Sequence, residues 1–245
     1  MKEYLERLGL TQVPDLPELM RAHLQTIPFE NLSVLAAQPV PLDLESLERK
    51  LILQKRGGYC FEQNTLFEHI LRQLNYQVIS LQARVRRGVT EIRPHTHKLL
   101  KVIWQGQDYL VDVGFGAEGV SQPMPWIPNQ EHEFYPGVFH RLIWQDELWV
   151  LQCKHDQNPW VDLYATENRR TYPVDDELSN WYTSTFPSSF FRKSMIVSLH
   201  HPTGYTSLFD GLLKHRKDGQ TITRQLAPAE IPETLEREFR LRDNH

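Results

Sequence analysis

Two cysteines in 245 residues are too few for a disulfide framework, and they exclude a four-cysteine zinc site. Positive charge is not in excess either. Lys and Arg number 27 against 31 Asp and Glu, a formal net charge of −4, so the balance offers no case for binding nucleic acid or an anionic membrane. No apolar run approaches the ~20 residues of a membrane span, and Met1-Lys2-Glu3-Tyr4-Leu5-Glu6-Arg7 lacks the apolar core of a secretion signal. A cytoplasmic protein is the expectation. Internal repeats and low-complexity segments are also missing. With 40% hydrophobic and 24% charged residues the usage is that of a globular chain, long enough for one large domain or two to three small ones.

The spacing of apolar residues is helical as far as about residue 76. Tyr4, Leu5 and Leu8 make a short face, Leu16 to Leu24 a second helix that stops near Pro28, and Leu44, Leu47, Leu51 and Leu53 a third. From Gln77 the period changes to two: Ile79, Leu81, Ala83 and Val85 share the face of a half-buried strand. Strands at His97 to Trp104 and Gln107 to Val113 are separated by Gln105-Gly106, a tight hairpin turn. Val120 to Gly137 holds four prolines and is expected to be a long surface connection. Strands at 139–144, 148–153 and 160–164 follow. Cys153 lies in the second of these, with packing as its default role. A short helix at 175–182 and a loop at 184–191 lead to a tail of strand and turn that ends in a helix with Ile231, Leu235 and Phe239 on one side. The order argues for an α+β chain in three parts, 1–76 helical, 77–183 built of strands and 184–245 mixed.

The stretch around which the rest is organised is Arg56-Gly57-Gly58-Tyr59-Cys60-Phe61-Glu62-Gln63-Asn64. Leu66, Ile70, Leu71 and Leu74 continue it with helical spacing, so Cys60 belongs in the first turn of a helix, where the dipole and unpaired N–H groups favour a thiolate. Gly57 and Gly58 permit a sharp turn and close approach by a substrate. An isolated cysteine opening a buried helix is more often a small core hydrophobe, so partners decide its role. If Gln105-Gly106 is a two-residue turn, Leu99 stands opposite Asp112. His97 then lies on the same face as Asp112 and diagonal to it, within reach of an imidazole and a carboxylate; a one-residue change of loop would separate them. Asp112 sits among Leu110, Val111 and Val113, where a carboxylate without a partner is costly. Two other readings stay open. His95 and His97 with Cys60 could be drawn as a zinc site lacking a fourth ligand, and His97 alone could be a satisfied core histidine.

Three of these segments, Arg-Gly-Gly-Tyr-Cys-Phe-Glu-Gln-Asn at 56–64, Thr-His-Lys-Leu-Leu at 96–100 and Asp-Val-Gly-Phe-Gly at 112–116, closely resemble the signature motifs of the arylamine N-acetyltransferases. Ile-Pro-Phe-Glu-Asn-Leu at 27–32, the loop Asn180 to Thr185 and the ending Leu235 to Leu241 are similar to further parts of that family, so the resemblance spans the chain. Two departures are visible: the aromatic order at Tyr59 and Phe61, and Gln63 where leucine is usual. The resemblance implies a cysteine-protease-like core, made of an N-terminal helical bundle and an antiparallel β-barrel, with a C-terminal α/β lid. It implies a catalytic triad of Cys60, His97 and Asp112 and no metal. Acetyl-CoA would be the co-substrate, its acetyl group passing through acetyl-cysteine to an arylamine, arylhydrazine or N-hydroxyarylamine.

Around that centre Phe29, Tyr59, Val85, Phe115, Gly116, Phe186 and Phe190 are candidates for a flat acceptor pocket, with core packing as the competing role for each. Arg84, Arg86, Arg87 and Arg93 form a basic cluster from which Arg86, Arg87 and Arg93 are candidates for the CoA phosphates, although a solvated strand end explains them almost as well. Glu62 is expected to tie the helix start to a neighbour such as Arg56. Competing functions are a transglutaminase-like or protease-like hydrolase on the same core, and a binding module that has lost catalysis.

Overall fold

The computed structural model describes residues 1–89 and 91–241. Helices α1 (Lys2–Leu8) and α2 (Leu16–Thr26) open the chain, α2 beginning where the Asp15 carboxylate accepts the Glu18 N–H at 3.0 Å. Their apolar faces, Tyr4, Leu8, Leu16, Leu19, Met20 and Leu24, enter the main core. After β1 (Phe29–Glu30) come the short helices α3 (Leu32–Leu35) and α4 (Leu44–Leu47), a π-helical turn at Glu48–Leu53 that continues α4, and the long helix α5 (Cys60–Gln73). The first 76 residues are therefore not all helical. Phe29 and Glu30 pair with the strand at Ser198 and Val197 and so become the edge of a sheet otherwise built from the last third of the chain. Two residues of strand between prolines and short helices leave no periodic signal to read.

Strands β2 (Gln77–Val85), β3 (His97–Trp104), β4 (Gln107–Val111), β5 (Met124–Pro125), β6 (His132–Tyr135), β7 (Val138–Gln145), β8 (Leu148–His155) and β9 (Val161–Thr166) form one antiparallel sheet in the order β5-β4-β3-β2-β9-β8-β7-β6, curled into a nearly closed barrel. Gln105 and Gly106 both have positive φ, 51° and 78°, as the two-residue turn requires, and Trp104 pairs with Gln107. The expected register therefore holds. Val120 to Gly137 is more ordered than its prolines suggest, since β5 pairs with β4 and β6 with β7. Proline is tolerated there because β5 is an edge strand.

Strand β2 is buried on both faces, not one: Leu81 and Ala83 face the core, while Ser80 and Gln82 are also buried. The second face is covered by α6 (Pro173–Thr185), longer than the 175–182 expected. Asp176 accepts from the Gln82 amide at 2.9 Å, so the polar residue that looked solvent-facing is satisfied internally. Ser184 and Thr185 of the expected loop belong to this helix, and Phe190–Arg192 form a short 3₁₀ turn. The second sheet runs β1-β10-β11-β12-β13, with β10 (Ile196–His201), β11 (Gly204–Phe209), β12 (Leu212–Lys217) and β13 (Gln220–Gln225). Helix α7 (Ile231–Phe239) covers it, Phe239 joining Val197, Leu199, Leu208 and Leu213 in a second core. Among the described residues no helix is long and apolar enough to cross a membrane.

Lys98 fastens three of these elements together. Its ammonium, buried on β3, lies 2.8 Å from Glu68 of α5 and 2.8 Å from Asp176 of α6, and also reaches Thr65 at 3.1 Å. Lys98→Met takes the cation from the buried Asp176 and leaves Glu68 with Arg72 alone, and is expected to destabilise the fold by about 3–5 kcal/mol. Urea unfolding midpoints measure this; a loss under about 1 kcal/mol would reduce the contact to the rank of a surface pair.

Candidate active site

Cys60 is the first residue of α5, and the two glycines before it are there for space. At Gly57 a Cβ would sit 2.2 Å from the Pro28 carbonyl oxygen, and at Gly58 it would sit 2.8 Å from the Glu62 carboxylate. The pair runs beside β1, with Gly58 N–H donating to Pro28 O and Glu30 N–H donating to Gly58 O. Glu62 accepts the Tyr59 N–H at 3.0 Å, which closes the helix start, and its other oxygen holds Lys50 at 2.6 Å. Arg56 goes instead to Glu30 at 3.2 Å, so the expected Arg56–Glu62 pair is replaced by two crossed pairs. Burial raises the Glu62 carboxyl above its ordinary range, Lys50 opposes that shift, and Glu30 adds to it.

The hairpin delivers His97 and Asp112 as a pair. His97 Nε2–H donates to Asp112 Oδ2 at 2.7 Å, which leaves Nδ1 for the Cys60 sulfur. The same carboxylate accepts from the Asn64 amide at 2.9 Å, from the Gly114 N–H at 2.9 Å and from the Tyr164 hydroxyl at 3.1 Å. Asn64 in turn donates to Lys98 O and accepts the Val113 N–H. Gly114 is required here: a Cβ would lie 2.6 Å from the Cys60 Cα and 2.6 Å from the Asn64 amide nitrogen, so only glycine lets the loop after Asp112 press against the nucleophile's helix. The imidazole is packed edge-on by Phe115, with ring centres 5.1 Å apart, and lies 4.8 Å from the Tyr164 ring. The sulfur itself is 3.6 Å from the Thr96 carbonyl oxygen.

Burial alone would lower the His97 pKa. The Asp112 charge and hydrogen bond, aided by Cys60, raise it to about 10, so the ring is an imidazolium at neutral pH. Burial works against the Asp112 charge in the same way, and His97, Asn64 and Gly114 together hold that carboxyl below its usual range. The arrangement is a buried cation between a carboxylate and a sulfur, the order of groups that acyl transfer through a cysteine would use. His95 takes no part, since it turns to Glu167 at 2.9 Å.

The remaining sequence candidates divide. Phe115, Gly116, Phe190 and Arg87 line one cavity of about 220 Å³. Phe29 borders it, lying 3.5 Å from where a Cβ on Gly116 would be. Tyr59 has no open surface: it is fully buried against Phe61 and Phe191, and its hydroxyl is hydrogen-bonded to Asn180. Val85 is paired with Tyr164 at the end of β2, and Phe186 stacks on Tyr182. The arginines are mostly tied down. Arg84 binds Glu167, Arg86 binds Asp162 at 3.0 Å, and Arg87 reaches Glu118 at 3.6 Å with its guanidinium over Phe115. Only Arg93 has no acidic partner among the described residues.

Three functional contributors went unread in the sequence. Asn64 lies one helical turn after Cys60, so the i, i+4 rule offered a signal; Tyr164, 52 residues from Asp112, offered none. The third is a buried relay behind the glycine turn. Gln63 donates to Pro28 O at 3.1 Å and Gly58 O at 2.8 Å, and its carbonyl accepts from His23 Nε2–H at 2.9 Å. His23 Nδ1 then accepts the Tyr4 hydroxyl at 2.8 Å. Burial pushes the His23 pKa down to about 4, which keeps the ring neutral and this tautomer in place. The glutamine at a usual leucine position is thus matched by a histidine. His200 donates to Gly116 O at 3.1 Å and accepts from Tyr135.

Two outcomes follow from this geometry. Gln63→Leu leaves the buried His23 Nε2–H without its acceptor and takes one of two donors from each of Pro28 O and Gly58 O, and is expected to lower stability by about 1–3 kcal/mol; the double change with His23→Leu should recover part of that in the same unfolding assay. The raised His97 pKa contributes stability that is fully present below its ordinary ~6.5 and lost as pH rises through about 10. The depressed Asp112 contributes stability above ~3.9 that is lost as pH falls through its lower folded value. The stability gap between wild type and His97→Gln should therefore be widest between about pH 4 and 6.5 and close toward pH 10. Denaturant titrations across that range test it, and a gap that grows with pH contradicts the assigned pairing.

The family profile described as N-acetyltransferase matches residues 12–244. The arylamine N-acetyltransferase of Escherichia coli is 34% identical over 208 residues, covering 84% of this chain and 73% of that relative. The Mycobacterium tuberculosis arylamine N-acetyltransferase is 32% identical over an alignment of 252 residues, 96% of this chain and 87% of the relative. Among solved structures, arylamine N-acetyltransferase from Salmonella typhimurium superposes with a TM-score of 0.91 at 30% identity, covering 98% of this chain and 90% of that one. The Mycobacterium marinum enzyme in complex with CoA gives 0.90 at 30% identity, covering 97% and 91%. With its motifs, its fold and these relatives in agreement, the chain belongs to the arylamine N-acetyltransferase family.

Proposed function

We propose that the protein transfers acetyl groups from acetyl-CoA to arylamines, arylhydrazines or N-hydroxyarylamines by double displacement through Cys60. The observation that carries this is the buried succession of Cys60, His97 and Asp112, with a charged imidazole facing the sulfur. The Cys60 thiolate attacks the thioester carbonyl, and first-turn N–H groups of α5, that of Cys60 among them, face the oxyanion that develops. Collapse breaks the carbon–sulfur bond to CoA, which leaves with the His97 proton. The second half reverses the roles. The amine nitrogen attacks the acetyl-cysteine, His97 takes a proton from nitrogen, and the Cys60 thiolate departs. Asp112 keeps the ring oriented throughout and balances its charge.

The same reading assigns acceptor contacts to Phe29, Phe115, Gly116 and Phe190, and a CoA phosphate contact to Arg93. Arg86 and Arg87 would each have to release an acid to join it. The division into 1–76, 77–183 and 184–245 is kept as a functional one, the first part carrying the nucleophile, the second the histidine and aspartate, and the third closing the cleft. A cytoplasmic location belongs to the reading because a free reactive thiol needs a reducing compartment. The names of relatives support the substrates: one is an arylamine N-acetyltransferase that is also called an N-hydroxyarylamine O-acetyltransferase, and another was solved with CoA.

Mass spectrometry of the intact protein after mixing with acetyl-CoA alone is the decisive experiment. One acetyl group on Cys60 is expected, absent in Cys60→Ala and formed about 10²–10⁴ times more slowly in His97→Gln. Addition of an arylamine should move the acetyl group to nitrogen. Release of free acetate in place of acetylated amine would favour a hydrolase, and no adduct at all would end the mechanism.

A further inference from the structure

The wall of the Phe115 cavity holds two hydroxyls that no group among the described residues satisfies. Ser198 Oγ on β10 and Tyr205 OH on β11 belong to residues only 2% and 1% exposed, both line the cavity, and neither has a hydrogen-bond partner. Buried polar groups are normally paired, and two in one small cavity beside a reactive centre are costly to leave unmade. Both are held in place. Ser198 stands opposite Phe29 in the β1–β10 ladder, and Phe29 bridges to Gly58, two residues before Cys60. A Cβ at Gly116 would lie 3.2 Å from Ser198 Oγ, and the Gly116 carbonyl is fixed by His200. Tyr205 pairs with His200 across the ladder and with Arg216 on the other side.

The rest of the cavity says what those hydroxyls await. Its apolar walls are the rings of Phe115, Phe190 and Phe209, the last two stacked 5.9 Å apart, and about 220 Å³ accommodates a single aromatic ring but not a nucleotide. Two cations line it. Arg87 is balanced by Glu118 at 3.6 Å, but Lys214 on β12 has no acidic partner among the described residues. Two hydroxyl donors and an uncompensated ammonium complement an oxygen anion.

We propose that Ser198, Tyr205 and Lys214 form a subsite for an anionic substituent on the acceptor ring, so that the preferred acceptor is a single-ring arylamine bearing a carboxylate, its amine directed toward Cys60. This rests on the acetyl-transfer reading above. Its test compares kcat/KM for para-aminobenzoate with that for the neutral isostere para-aminobenzamide. Wild type should favour the acid by at least about tenfold, as expected of a site built for the anion. Lys214→Met and Tyr205→Phe should each bring the ratio down toward one, and Lys214→Arg should retain most of it. Thermal melts confirm that the variants are folded, and Lys214→Met, at a half-buried position, keeps the test valid if Tyr205→Phe is unstable. A wild-type ratio near one, or a ratio unmoved by Lys214→Met, overturns the subsite. Acetylation of wild type by acetyl-CoA alone, measured in parallel, separates the two claims: acetyl-enzyme without discrimination refutes only the subsite, and no acetyl-enzyme removes both.

Discussion

A carboxylate with almost no exposed surface has to be surrounded by donors, and the centre of this protein is arranged around meeting that demand for Asp112. Its four donors come from four places: His97 at the start of β3, Asn64 on α5, Gly114 in the loop after β4, and Tyr164 on β9. Each of these elements is held where it is partly by that one group. An electrostatic consequence comes from the same requirement. A carboxylate kept ionised in the interior keeps the neighbouring imidazole charged, and that charged ring faces the sulfur at the start of α5.

Asp112 can serve both sides only because α5 and the barrel approach each other closely. Gly114 makes the closest contact, with no room for a Cβ between it and Cys60. Polar groups, not apolar ones, then lock the approach: Asn64 bonded to Lys98 O and the Val113 N–H, and Lys98 bonded to Glu68 and Asp176. On the far side of Cys60 the Tyr4–His23–Gln63 relay pins the carbonyls of Pro28 and Gly58. Apolar packing alone tolerates small slips of one helix against its neighbours; directional bonds from three sides do not. Under the proposed acetyl transfer, a nucleophile that must meet a histidine from another element within a few tenths of an ångström benefits from that rigidity.

Local features of the chain were legible where they were governed by short-range physics. The helix start at Cys60 follows from the glycine pair and the apolar spacing of Leu66, Ile70 and Leu71. The His97–Asp112 alignment follows from counting outward from a two-residue turn, because the period of a strand leaves no freedom once the turn is known. What could not be read depends on contacts between distant segments. Nothing near Phe29 reveals that it pairs with Ser198, 169 residues later, and nothing near Gln82 reveals that α6 will cover it. The Arg56–Glu62 expectation failed for a related reason: proximity in sequence suggested a partner, but Lys50 on the preceding π-helical turn was brought nearer by the fold.

The arginine segment shows how the same distinction separates chemistry from specificity. Four arginines between nucleophile and base look like a phosphate site when only charge is counted, yet in the fold acids from β9, from the following loop and from the segment after Asp112 neutralise three of them. Charge density along a chain therefore overstates the charge available to a ligand. Of that cluster only Arg93, on the connection between β2 and β3, keeps no acidic partner among the described residues, and Lys214 on β12 is another cation without one. Cys60, His97 and Asp112 are held by bonds from many elements, whereas the cavity beside them is walled by rings of which Phe190 is half exposed, and two of its hydroxyls have no partner among the described residues. Of the cavity's rings it is Phe115 that packs on His97, so substitutions at Phe190 or Phe209 can reshape the cavity while leaving the Asp112 donors in place.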